Sequence, residues 1–308
     1  MLKFLCIFCC VFAFLKEGQA EELWLDGVSV ADLQEIYKQY GYEGMRGYLN
    51  LDTYKYPEIY LKSFPRDFVS IKDENERNVL FIKILTPLAL RLNNEILQER
   101  QDVISIRNKF KENSNISKKD IAVIEEKAKK YDIFSRLKGT ERFSYLIDEL
   151  LKRIDKIPPS IIITAAAIDT NWGSSRVVSE GNSLYKMYDW HTDKGLKPIG
   201  ETEDDSYRIR VYKDIYSSIK DFALKINSHP VFASMRNMRY EYQGITSVIL
   251  GNNLAPYAYG NSALNNYAGM FDYTLVYYEL QEIDKSKLAD KLVPKSIVRK
   301  FGQYVTKM

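Results

Sequence analysis

Cysteine is almost absent from this 308-residue chain. Its three copies, Cys6, Cys9 and Cys10, lie within the first ten residues. Nothing downstream can therefore supply a thiolate nucleophile, a disulfide or a cysteine-based zinc site. Histidine is as scarce: His191 and His229 are the only two, and no H-E-x-x-H spacing exists, which excludes a metalloprotease of that type. Neither G-x-x-x-x-G-K-[ST] nor G-x-G-x-x-G occurs, so phosphate-loop and dinucleotide chemistry has no support. A dominant charge sign is missing too. The 44 basic and 41 acidic residues leave a net +3, too even for a dedicated nucleic-acid binder, although an isoelectric point near 8.4 suits weak attraction to an anionic polymer. What the chain does have is carboxylates, hydroxyls and 23 tyrosines. No metal and no cofactor is expected.

The first twenty residues read as an address. Lys3 is followed by an apolar run from Phe4 to Leu15 and then by Gly18-Gln19-Ala20, the parts of a secretory signal peptide cleaved after Ala20. The run is shorter than the roughly 20 apolar residues that a spanning helix needs, so the expectation is export to the periplasm or beyond without a stable membrane span. An uncleaved anchor is the alternative. Losing Lys3, Lys16 and Glu17 with the segment changes the charge from +3 to +2. It also leaves a mature chain free of cysteine, long enough to bury its own core without disulfides.

Most of the mature chain has helical periodicity. Ser29 precedes an amphipathic stretch from Val30 to Tyr40. A connector from Tyr54 to Asp67 shows no clear period. From Asp73 to about Lys111, Phe81, Leu85, Leu88, Leu92, Ile96 and Val103 recur at helical spacing, with Pro87 expected to kink the helix. Ser117 and Asp120 form an N-terminal capping signature for a charged helix to about Tyr131. Gly139-Thr140 breaks the pattern, with Thr140 as the expected cap, and Phe143, Leu146, Ile147, Leu150, Leu151 and Ile154 then trace one apolar stripe. Pro158-Pro159-Ser160 opens a helix that is apolar nearly all round, as suits the centre of a fold. It ends at Asn171-Trp172-Gly173. After it, Tyr207, Ile209 and Val211 alternate with polar residues, which predicts a strand. Helical spacing returns from Ile215 to Asn227 and from Asn261 to Glu282. The expected fold is mainly α, of α+β type, with a small β-hairpin or sheet after the central apolar helix. The expected divisions are a signal peptide (1–20), a helical N-terminal region (21–139), a core domain (140–285) and a C-terminal helical tail (286–308).

The chemistry concentrates where the apolar helix ends, in Ala165-Ala166-Ala167-Ile168-Asp169-Thr170-Asn171-Trp172-Gly173. A carboxylate leaving an apolar helix beside a tryptophan is poorly solvated, which raises its pKa, and the helix C-terminus raises it further. A carboxyl that holds its proton near neutrality can act as a general acid on a glycosidic oxygen. The alternative is an Asp that bonds local backbone to terminate the helix.

The segment from Ile157 to Tyr188 resembles the core of the glucosaminidase family, and most closely its Bax-like subgroup of Gram-negative bacteria. The residues that carry the resemblance are Ala-Ala-Ala-Ile-Asp-Thr-Asn-Trp-Gly-Ser-Ser-Arg, then Glu-Gly-Asn-Ser-Leu-Tyr. It extends upstream through Tyr56-Pro57-Glu58-Ile59-Tyr60-Leu61 and Leu85-Thr86-Pro87-Leu88, and downstream through Tyr212-Lys213-Asp214 and Tyr257-Ala258-Tyr259-Gly260. Roughly residues 56 to 282 are covered. The resemblance implies a lysozyme-like fold and cleavage of the β-1,4 bond after N-acetylglucosamine in peptidoglycan. It implies no nucleic acid and no cofactor.

It also implies the site. The family's motif is A-x-E-S-x-W-G with Glu as general acid, and Asp169 stands at that position. The place of a second acidic residue is held by Arg208, leaving Glu203 and Asp205 as the nearest candidates for a second carboxylate; a solvated acidic turn is the other reading of that run. Trp172 stacks on a sugar or packs behind the acid. Arg176, Asn182 and Tyr185 match one side of the substrate groove, Tyr257 matches a tyrosine opposite that orients substrate or water, and Tyr267 supports it. His229 reads as structural. A second function stays open beside hydrolysis: a catalytically impaired relative that binds glycan strands or an envelope protein. A lytic transglycosylase is a third.

Overall fold

The computed structural model describes residues 22–42, 54–113, 116–190, 194–198, 207–242, 244–251, 253–254, 261–289 and 293–308. It is mainly α-helical with small sheets, as the periodicity predicts. Helix α1 (Val30–Tyr40) starts where Ser29 accepts from the Asp32 N–H, and α3 (Lys118–Lys130) starts likewise at Ser117 and Asp120. Helix α4 (Gly139–Arg153) departs from expectation: it begins one residue before Thr140, with Lys138 at the cap position and no side-chain cap bond.

Helix α2 (Glu74–Asn113) runs 40 residues, about 60 Å at 1.5 Å per residue. Pro87 lies inside it and does not end it. Proline has no N–H for the Lys83 carbonyl one turn back, and the Tyr42 hydroxyl approaches that carbonyl instead, at 3.4 Å. A tertiary donor thus compensates for the missing helical bond.

Helix α5 (Pro159–Thr170) is the hub. Proline at its first turn is preorganised for helix and gives up only an N–H that has no partner there. From Pro159 to Ala167 every residue is buried, with α2, α9 (Ser247–Gly251) and α10 (Asn261–Tyr277) packed around it. Its entry is fixed by two devices. The Asn93 side chain bonds both the N–H and the carbonyl of Ile157, at 3.0 and 2.7 Å. The Asp284 carboxylate accepts from the Ser160 N–H at 2.9 Å and the Ser160 hydroxyl at 2.8 Å. Burial holds the Asp284 carboxyl above the usual carboxylate range, against the lowering effect of the Ser160 bonds.

That shift has a sign. A raised folded-state pKa makes the contribution of Asp284 most favourable below the unfolded value near pH 3.8, and it is lost as pH rises through the folded value. Asp284→Asn keeps an acceptor for the Ser160 N–H and cannot ionise. The difference in urea midpoint between wild type and Asp284→Asn should therefore grow, against the wild type, as pH rises from 3.8. Parallel profiles would show that Asp284 titrates alike in both states.

The connector that lacks periodicity contains two short strands, β2 (Lys55–Tyr56) and β3 (Ile59–Leu61). Strand β1 (Leu23–Leu25) pairs parallel to β3 and antiparallel to β7 (Val305–Thr306), while β2 pairs parallel to β6 (Lys287–Leu288). The two ends of the described chain thus meet in one sheet. After α5 and the short α6 (Arg176–Gly181) comes the expected hairpin. Strand β4 (Tyr188–Asp189) runs antiparallel to β5 (Arg208–Ile209), and Leu196 exchanges both backbone bonds with Ile209 on the other edge. The ladder covers only two of the alternating residues expected to form a strand. Helix α7 (Ile215–Ser228) follows, capped by Asp214 on the Ser217 N–H at 2.7 Å. A turn of helix at 230–232, which His229 caps, leads into α8 (Ala233–Glu241).

Candidate active site at the end of the central helix

Asp169 is the first charged residue after Lys156. An apolar helix forced into the core therefore carries one carboxyl, at its exit. The exit turn is left-handed three times over: φ is +47° at Asn171, +57° at Trp172 and +76° at Gly173. Non-glycine residues adopt this region at a cost, and the surrounding bonds fix it. Trp172 N–H donates to the Ala167 carbonyl at 2.8 Å, Gly173 N–H to the Thr170 hydroxyl at 2.9 Å, and Ser175 N–H to the Thr170 carbonyl at 3.0 Å. A Cβ on Gly173 would meet the Phe81 and Phe68 rings at 3.0 and 3.1 Å, so glycine is needed there for space and for φ. Trp172 packs between Phe81 and Tyr278, with ring centroids 5.7 and 4.5 Å away.

The Asp169 side chain is 1% exposed. Its Oδ2 accepts from the Lys186 N–H at 3.2 Å, and the half-exposed Lys186 ammonium lies 3.7 Å from Oδ1. Beneath it, Tyr185 donates to the Ile162 carbonyl at 3.2 Å and stacks flat on Phe222, with centroids 3.9 Å apart. Tyr267 comes in from α10. Burial, and then the Asp169 charge, push the Tyr185 and Tyr267 hydroxyls well above the usual phenol range, so both remain neutral. From α7, Lys225 has its ammonium pulled below the usual lysine range by burial and by Arg210, with Asp221 and Asp169 acting the other way. Four stretches thus converge on one carboxyl: α5, residues 184–187, α7 and α10.

Other residues expected at the site occupy its periphery. Arg176 pairs with Glu180 at 2.8 Å and donates to the Lys197 carbonyl at 2.5 Å. Asn182 ends α6 in the left-handed region, φ +50°, and its amide donates to the Tyr212 carbonyl at 3.3 Å. Both tie α6 to the hairpin. Tyr185 is buried, held by the Phe222 stack and the Ile162 carbonyl. Tyr257, Glu203, Asp205 and His191 lie outside the described residues. Lys186, Phe222 and Lys225 were not expected here. Lys186 follows a quoted motif directly, and the other two lie on the expected α7 helix, but no spacing rule marks any of them as neighbours of Asp169.

Among the described residues no group of three His, Cys, Asp or Glu side chains could hold a metal ion, and no helix is long and apolar enough to cross a membrane. A cavity of about 990 Å³, lined in part by Pro158, Pro159 and Asp284, opens at the start of α5, about 15 Å of helix away from Asp169. It shares no residue with the carboxyl's surroundings. What the exit of α5 offers chemically is one carboxyl shielded from water, held in a rigid turn beside the Lys186 ammonium and near neutral phenols.

Residues 146–285 match the Glucosaminidase family model, described as mannosyl-glycoprotein endo-beta-N-acetylglucosaminidase. The chain is 26% identical over 199 residues to Protein bax of Escherichia coli (strain K12), a match covering 62% of this chain and 67% of that protein. No solved structure matches it. Together the two matches support a Bax-like glucosaminidase assignment, with a domain of glycoside-hydrolase type over residues 146–285.

Proposed function

We propose that the chain is an exported peptidoglycan hydrolase that cleaves the β-1,4 bond after N-acetylglucosamine, with Asp169 as general acid. One observation carries this reading: inside the matched region, a single carboxyl is withdrawn from water at the exit of the central helix. A general acid delivers its proton to the leaving oxygen as the glycosidic bond breaks. Water is the nucleophile, since the sequence motifs offer no evident nucleophilic partner for Asp169. Tyr257 orients the substrate or that water, and Glu203 or Asp205 supplies any second carboxylate. Tyr267 supports the site, Arg176 and Asn182 close one side of it, and Trp172 braces the turn from behind. Residues 140–285 form the catalytic unit, with 21–139 bracing it and 286–308 as a tail. Residues 1–20 direct export to the envelope, where the glycan strands are.

A second reading, a glycan-binding relative without turnover, draws on two features. Arg208 stands where the family has an acid, and the Lys186 ammonium sits beside Asp169. Incubating the protein with purified sacculi and centrifuging separates the two. Soluble muropeptide-bearing fragments in the supernatant support the hydrolase. Protein in the pellet without released fragments supports the binder.

A further inference from the structure

Of the three tryptophans, Trp24 is buried and Trp172 is enclosed by rings, but Trp190 is 54% exposed. A large aromatic side chain left half in water calls for an explanation when it belongs to a patch, and Trp190 does. Its ring lies 4.8 Å from Tyr207 and 6.5 Å from Tyr188, and those two tyrosines meet edge to face at 5.0 Å. Tyr188 belongs to β4, Trp190 follows that strand, and Tyr207 precedes β5. The antiparallel register that sets Tyr188 opposite Ile209 and Asp189 opposite Arg208 brings them together.

The patch stands on a braced lobe. Arg210 N–H donates to the Met187 carbonyl at 2.9 Å and Tyr212 N–H to the Gly181 carbonyl at 2.8 Å; Arg176 ties Lys197 to α6. The patch is also close to the carboxyl. Lys186 N–H touches Asp169, and Trp190 lies four residues further on, no more than about 13 Å of extended chain. A bound oligosaccharide that places one glycosidic bond at Asp169 reaches the patch within a few sugars.

We propose that Tyr188, Trp190 and Tyr207 form a saccharide-stacking subsite that holds an N-acetylhexosamine ring of the glycan strand against the Trp190 face. This rests on the proposed function. An aromatic face presents apolar area at little conformational cost and suits the C–H face of a pyranose, and the neighbouring rings fix its angle.

The test titrates the Asp169→Asn protein, which binds without cleaving under the proposed function, with the β-1,4-linked hexamer of N-acetylglucosamine, following tryptophan emission. Stacking should shift and quench the emission of exposed Trp190, and the Trp190→Phe background should lose that signal. By calorimetry, Trp190→Ala should bind about tenfold more weakly, whereas Trp190→Phe, which keeps a ring, should stay within about threefold. Equal affinity of Trp190→Ala and its parent overturns the subsite, and if wild type still releases fragments from sacculi, the proposed function stands. Conversely, a Trp190-dependent hexamer signal in a protein that releases nothing supports the subsite and removes the hydrolase.

Discussion

Asp169→Asn should lower fragment release from sacculi by about 10²- to 10⁴-fold, the usual contribution of a positioned general acid, while leaving folding and sacculus binding intact. The substitution is close to isosteric. The asparagine oxygen can still accept from the Lys186 N–H, and the left-handed exit turn rests on bonds from Trp172, Gly173 and Ser175 that do not involve the side chain. The transferable proton is lost, together with the ion pair to the half-exposed Lys186 ammonium, which contributes little to stability. Circular dichroism and pelleting unchanged, with release abolished, is the expected pattern; unchanged release would eliminate Asp169 as the acid. Asp169→Glu tests the other half of the argument. The family's glutamate is one methylene longer, and a misplacement of about 1 Å can cost on the order of 100-fold. A large gain in rate would show that reach limits the native protein. A loss would show that the turn at 171–173 has already brought the shorter acid into position.

The second large effect belongs to a backbone position. Gly195 has φ +128°, a region open essentially to glycine. A Cβ there would fall inside contact distance of the Ile209 carbonyl oxygen and at 3.0 Å from the Arg208 Cβ. The oxygen belongs to the ladder that Leu196 and Ile209 share, with bonds of 3.0 and 2.9 Å, and backbone cannot move aside as a flexible side chain can. Gly195→Ala should therefore release the 187–212 lobe at a local cost of about 2–4 kcal/mol. Trypsin should then cut quickly at Lys194, Lys197 or Arg208, and fragment release should fall at least tenfold if the lobe lines the substrate path. Gly269→Ala is the control. Nothing lies within 4 Å of a Cβ there, and alanine in the exposed interior of α10 should be neutral or stabilising by up to about 1 kcal/mol. Equal protease resistance of Gly195→Ala and wild type would contradict the role given to the glycine.

Much of this was legible because it is local. An apolar run such as 157–168 can only be a buried helix or strand, and Pro158-Pro159 with Asn171-Trp172-Gly173 marks its length as a helix with Asp169 at the exit. Ser29 and Ser117 start their helices because capping needs residues only two or three apart. The two sheets that join β1, β3 and β7, and β2 and β6, escape sequence reading for the opposite reason. Strands of two or three residues carry no usable period, and β1 finds β7 across almost the whole sequence. The Tyr42 hydroxyl that serves the Lys83 carbonyl before Pro87 comes from another element, so no local pattern announces it. The motif marks Tyr185, but its stacking partner Phe222 lies on another element and no local pattern announces it. Trp190 and Tyr207 are separated by 16 residues, and only the β4–β5 register makes them one surface.

The central claim is that Asp169 protonates a glycosidic oxygen on the reducing side of N-acetylglucosamine. End-group analysis tests it most directly: sacculi are digested with the chain from residue 21 onward, the new ends are reduced with borohydride, and the sugars are identified after acid hydrolysis. Reduced glucosamine, rising with time in wild type and absent with Asp169→Asn, is the predicted result. Reduced muramic acid, anhydromuramyl ends, or glucosamine ends that persist in Asp169→Asn would contradict it.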